Sequence, residues 1–135
     1  MREILFRGKR KTNGEWIYGD YFRSKISNTE LGIRVVHSIT FFEDDEEHSY
    51  CVDPDTIGQY TGLTDKKIFE GDIVTGLFLY SEPVSGVCVF KDGSFGIEWN
   101  RGKVKEFSAF TSICNVTYEV IGNIYDNPEL LGVEK

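Results

Sequence analysis

Tyr118-Glu-Val-Ile-Gly-Asn-Ile-Tyr-Asp-Asn-Pro-Glu-Leu-Leu131 reads as a buried strand that runs straight into a short capped helix closing a domain. Tyr118 to Tyr125 supplies the strand. Asn127 suits the N-cap, Pro128 the first helical position, and Glu129 the positive end of the helix. A chain that ends this way needs earlier strands for the last one to pair with.

Those strands stand immediately upstream. Asp72 to Leu79, Gly86 to Phe90, Ser94 to Trp99 and Val104 to Phe107 alternate apolar and polar residues as a half-buried sheet requires. Lys91-Asp92-Gly93 and Asn100-Arg101-Gly102 carry the chemistry of tight turns between them. The meander opens at Ile68-Phe-Glu-Gly-Asp-Ile-Val74, where Gly71 can bend the chain and Asp72 can bond nearby backbone amides. A Gly-Asp pair before β-branched residues is also found where small SH3-like barrels enter their first long strand. Ser108 to Cys114 is the least determined part, with one helical turn as its nearest reading.

The first half also reads as sheet. Glu3 to Gly8 and Glu15 to Phe22 flank Asn13-Gly14, a strong hairpin signal because both residues accept the positive φ a tight turn needs. Along the second of these strands Trp16, Tyr18 and Asp20 share one face, with Ile17, Gly19 and Tyr21 on the other. Both faces are apolar, so each is either covered or a binding surface. Ser24 to Gly32 reads as a polar loop, Ile33 to Phe42 as a third strand, and His48 to Val52 as a short one. Between these, Glu43-Asp44-Asp45-Glu46-Glu47 is too charged to pack and reads as an exposed turn. Asp53 can cap a turn beginning at Pro54, and Ile57 to Gly62 is a last short strand.

The fold expected is therefore mostly β. An SH3-like or related, partly open barrel fills 63–135 and ends in the short helix. It packs with a smaller N-terminal sheet in 1–62, the two subregions making one domain. With 40% apolar and 14% aromatic residues among 135, such a chain buries a core without disulfides or metals. Cys51, Cys88 and Cys114 are odd in number and form no CxxC pair, so a reducing, cytoplasmic compartment is expected. No apolar run approaches the length of a membrane span, and the first residues lack a signal peptide's apolar core. The net charge of −7 argues against duplex DNA, whose affinity depends on Lys and Arg displacing counterions. The charge is unevenly spread, with Arg7, Lys9, Arg10 and Lys11 close together near the start.

Three ordered blocks carry a family resemblance. They are Arg2-Glu-Ile-Leu-Phe-Arg-Gly-Lys9 with Gly14-Glu-Trp-Ile-Tyr-Gly-Asp-Tyr21, then Val52-Asp-Pro-Asp-Thr-Ile-Gly-Gln-Tyr-Thr-Gly-Leu63 running into Ile68 to Val74, and finally Tyr118 to Leu131. Together they resemble the YopX family of phage and prophage proteins. One departure is local: the family's Asn-Gly-containing insertion before Ile-Phe-Glu-Gly-Asp is shortened here to Thr64-Asp-Lys-Lys-Ile68. The resemblance implies a β-rich phage or prophage accessory protein that self-associates. It implies no activity that could be assigned to particular residues.

The residues themselves offer little catalytic chemistry. His48 and Cys51, with Asp53 and Asp55 beyond them, would need two further ligands, such as His37, to hold zinc, and an ordinary loop is the better reading. There is no Gly-x-Ser-x-Gly elbow, and Gly58 to Gly62 lacks the Gly-Lys-Ser/Thr of a phosphate loop. No cofactor is expected. Aromatic and polar residues beside a basic hairpin are the stronger surface candidate, namely Arg7, Lys9, Trp16, Tyr18, Gln59, Tyr60 and Thr61. Packing explains the same aromatics equally well. A non-catalytic binding module is thus expected, taking a host or phage protein or a small anionic ligand. The alternative is a barrel that binds single-stranded nucleic acid through Trp16, Tyr60, Trp99 and the basic hairpin. A nucleotide-directed enzyme comes third.

Overall fold

The computed structural model describes residues 3–28, 30, 32–62, 67–76, 84–110 and 118–131. The chain divides into two compact units, Met1–Gly62 and Leu63–Lys135. Among the described residues each holds one antiparallel sheet of five strands.

In the first unit the strands are β1 (Phe6–Lys9), β2 (Trp16–Asn28), β3 (Gly32–Glu43), β4 (Glu46–Cys51) and β5 (Gly58–Gln59). They lie in the order β4-β3-β2-β1-β5. Ile17, Ile39 and Val52 form the core, with Phe6, Tyr21, Phe41, Tyr50 and Ile57 packed around them. The alternation along β2 sets the face: Ile17 and Tyr21 turn inward, while Tyr18 and Phe22 turn outward. Between β4 and β5, Pro54–Thr56 makes one 3₁₀ turn. The Asp53 carboxylate accepts the Asp55 N–H at 3.0 Å, as the Asp-Pro signal predicts.

The second unit contains β6 (Asp72–Gly76), β7 (Val84–Lys91), β8 (Ser94–Arg101), β9 (Val104–Ala109) and β10 (Tyr118–Asn123), in the order β10-β6-β7-β8-β9. Its core is Ile68, Val74, Cys88, Ile97 and Trp99. At the entrance to β6, Gly71 takes φ +90°, a conformation that only glycine adopts without strain. The Asp72 carboxylate accepts the Phe69 N–H at 2.8 Å. The bend and the aspartate bond expected of Gly71-Asp72 are both present.

Several expectations need correction. Among the described residues the first sheet is not the smaller one, since both have five strands. Neither sheet closes on itself among the described residues. Ser24 to Asn28 is not loop but the far end of β2, paired residue for residue with Gly32–Val36. That ribbon is exposed on both faces, so it has no apolar alternation to reveal it. The acidic run is an exposed turn only at Asp44 and Asp45, because Glu43 and Glu46 are already paired strand residues. Asn13 is not at positive φ. The loop spans Lys11–Gly14, and the Asn13 side chain accepts the Glu15 N–H at 2.9 Å.

The closing helix is a single 3₁₀ turn, Pro128–Leu131. Asn127 does not cap it with its side chain. Its Oδ1 reaches back to accept the Asn123 N–H at 3.2 Å, while Asn123 Oδ1 accepts the N–H groups of Tyr125 and Asp126. Two interlocked asparagine turns replace the capped helix. The shortened turn at 64–66 and most of the 108–114 segment lie outside the described residues. Among those described, no helix is long and apolar enough to cross a membrane.

Candidate functional site

Residues opposite one another in an antiparallel pair carry their side chains to the same face. The β1–β2 register sets Arg7 against Tyr18 and Lys9 against Trp16, so four of the expected site residues share a face. The Arg7 guanidinium lies 4.6 Å from the Trp16 ring centroid and the Lys9 ammonium 5.5 Å. Both distances suit cation–π attraction, worth about 0.5–1 kcal/mol in water and ~2 kcal/mol when desolvated. Tyr60 joins this face by alternation, its N–H donating to the Leu5 carbonyl at 2.8 Å. Gln59, opposite Phe6, falls on the other face, and Thr61 lies beyond the strand.

Burial divides the group. Arg7 and Tyr60 are each only 5% exposed, whereas Tyr18 is 45% exposed. Arg7 therefore braces Trp16, and the parts a ligand can reach are Lys9, Trp16 and Tyr18. The outward row continues to Phe22, which is well exposed, and by the same alternation Phe42 of β3 joins it. Of this row, the expected site residues included only Trp16 and Tyr18. The period of two already pointed on to Phe22, but not to Phe42, which depends on the β2–β3 register. Trp99 sits in the buried core of the second unit, so neither it nor Tyr60 offers a face to a stacked base.

On the opposite face stands a ring stack. The Tyr21 hydroxyl and His37 Nδ1 are hydrogen-bonded at 2.7 Å, and their rings are parallel. His48 stacks on Phe41 at 5.2 Å, and the Arg10 guanidinium lies 4.1 Å over Tyr50. His48 and Cys51 are three apart on β4, and a strand turns such a pair to opposite faces. His48 and Cys51, weighed above as zinc ligands and set aside, are thus split between the two faces. Among the described residues, no group of three or more His, Cys, Asp or Glu is placed to hold a metal.

The described residues line at least two clefts. One, of about 360 Å³ in the first unit, is lined by Lys11, Arg34, His37, Cys51 and Pro54 among others. The other, of about 160 Å³ in the second unit, is lined in part by Glu98 and Lys105. Glu98 lies 3.5 Å from Lys91 and 3.9 Å from Lys105, so its charge is met within the sheet. Cys88 is buried and Cys51 exposed; Cys114 lies outside the described residues.

Comparison with known proteins adds a family and a fold. The family model described as YopX protein matches residues 5–132. No curated protein sequence matches. Among solved structures, the crystal structure of protein yopX from Bacillus subtilis is similar over 97% of this chain and 99% of that one. The TM-score is 0.60 at 22% identity, a likeness of fold.

Proposed function

The chain belongs to the YopX family, and from that premise we propose a non-catalytic binding module whose working surface is the outward face of β1 and β2. The observation that carries the reading is the pair of cations on Trp16, Arg7 from the buried side and Lys9 nearer solvent, with the exposed Tyr18 alongside. A buried cation behind an aromatic ring holds that ring in place, and an accessible one beside it attracts negative charge. The partner is a host or phage protein, or a small anionic ligand. The setting is the cytoplasm of a bacterium carrying a phage or prophage, and the protein assembles with itself. The strand order of the second unit, a four-stranded meander with the last strand returning to the first, supports an SH3-like ancestry for that sheet.

Native mass spectrometry on protein purified gently from a bacterial host tests this reading. The expected result is a retained mass, small molecule or protein, that is lost when Lys9→Glu and Trp16→Ala are combined. Retention unchanged in that double variant removes this face as the site. Nucleotide turnover abolished by one acidic or histidine substitution would replace the module with an enzyme.

A second reading, single-stranded nucleic acid, is favoured by the exposed row of Tyr18, Phe22 and Phe42. Aromatic rows of this kind stack bases without sequence preference. Fluorescence anisotropy with labelled oligonucleotides at low salt decides it. Binding must appear and fall steeply with added salt; a flat titration ends the reading.

A further inference from the structure

The sheet of the first unit has a step in it. β4 pairs with β3 only over Ser38–Glu43, whereas β2 pairs with β3 from Thr40 back to Gly32. Past the end of β4 the chain gives one more bond, Val52 N–H to the His37 carbonyl at 2.9 Å, and turns away through Pro54. The N–H and C=O of one strand residue point to the same side, and the side alternates along the strand. His37 turns its groups toward β4, so Val35 and Ile33 turn theirs to the same edge, where β4 no longer runs. The 360 Å³ cleft lined by Lys11, Arg34 and Cys51 lies at this step.

The charge around the step is unusual for this chain. Lys11 and Arg34 are both exposed, and neither has a carboxylate partner among the described residues. In a protein of net charge −7, two such cations beside an unpaired strand edge make a local site for negative charge. Ile33 is 71% exposed and Val35 39%, so apolar contact is available on the alternate positions.

We infer that the β3 edge at Ile33–His37 accepts an extended acidic segment of a partner protein as an added strand. Main-chain bonds to Val35 and Ile33 supply the pairing, and carboxylates of the segment meet Lys11 and Arg34. A second copy of this chain is a poorer occupant. Antiparallel pairing of two such edges with Val35 opposite Val35 makes the two Arg34 side chains diagonal neighbours, within reach of like-charge repulsion. The edge at Ile33–His37 lies toward the other end of β2 from Trp16, so either site can fail alone.

A displayed library of random peptides of about twelve residues, selected on the full chain, tests the inference. The enriched sequences should alternate β-branched with acidic residues. Val35→Pro removes the outward N–H while leaving the β2 ladder intact, as an edge position permits. It should weaken a selected peptide about tenfold or more, as should Lys11→Glu combined with Arg34→Glu. Circular dichroism of each variant separates lost binding from lost fold, and Val35→Thr, which keeps the N–H, should bind normally. Peptides without acidic residues, no enrichment, or binding indifferent to Val35→Pro in a folded variant overturn the inference. So does a dimer in sedimentation that Val35→Pro dissociates.

Discussion

The two units use the same number of strands in different ways. In the second, the described strands have five to eight residues, and the described core is closed by fully buried Ile97, Val74 and Cys88. In the first, β2 and β3 run to 13 and 12 residues around an aliphatic core of three, rimmed by half-buried rings. Half of each long strand therefore stands away from any core. The first unit spends its length on accessible edge and face, the second on enclosure. Binding surface accumulates where strands outrun the hydrophobic interior that paired them.

The largest expected effects test that contrast in the cores. Ile97→Ala and Ile39→Ala each remove a fully buried side chain, in the range of ~2–5 kcal/mol. The rings of Phe6, Tyr21 and Phe41 can close on the gap left by Ile39, so its cost should fall at the lower end and that of Ile97 at the upper. Urea melts with amide exchange read sheet by sheet give the order; the reverse order breaks the comparison.

Asp72→Ala comes next. It takes away the acceptor of the buried Phe69 N–H, at a cost of about 1–3 kcal/mol. The loss should register in the second unit's melting, and a value near zero would mean that water replaces the carboxylate.

The turns give a smaller, stabilising test. Asp92-Gly93 and Asp44-Asp45 both join strands through two residues at positive φ, the geometry for which Asn-Gly and Asp-Gly are preferred. Asp44→Asn with Asp45→Gly should stabilise the first unit by ~0.5–1 kcal/mol and relieve crowded negative charge. Differential scanning calorimetry would show a raised melting temperature. A lowered one would mean that those aspartates are held by something other than the turn. Ile26→Ser should change stability least, within about 0.5 kcal/mol, because Ile26 is exposed on the ribbon beyond the core. A larger loss in a urea melt would show that the ribbon is covered in solution.

The same contrast explains what could be read in advance. Strands over a core announced themselves, as Ser94 to Trp99 did, because burial on one face forces alternation. Ser24 to Asn28 did not, since a ribbon wet on both faces accepts any polar side chain and is held by its partner's register. At the candidate site, the joining of Arg7 and Lys9 to Trp16 and Tyr18 followed from hairpin pairing. The burial of Arg7 and Tyr60, and the placing of Gln59 on the other face, did not.

By itself the sequence determined the β class, the bend at Gly71-Asp72, the Asp53-Pro54 turn and the family resemblance. All of these rest on dihedral preferences and side-chain bonds spanning a few residues, or on ordered blocks of identity. Tertiary structure alone decided that the two sheets take the same number of strands among the described residues, that the closing helix shrinks to one 3₁₀ turn, and that β4 ends early enough to leave a basic step beside Arg34. Those outcomes depend on where distant strands come into register. Register is fixed by how a whole sheet buries its faces, a constraint that no short stretch of sequence contains.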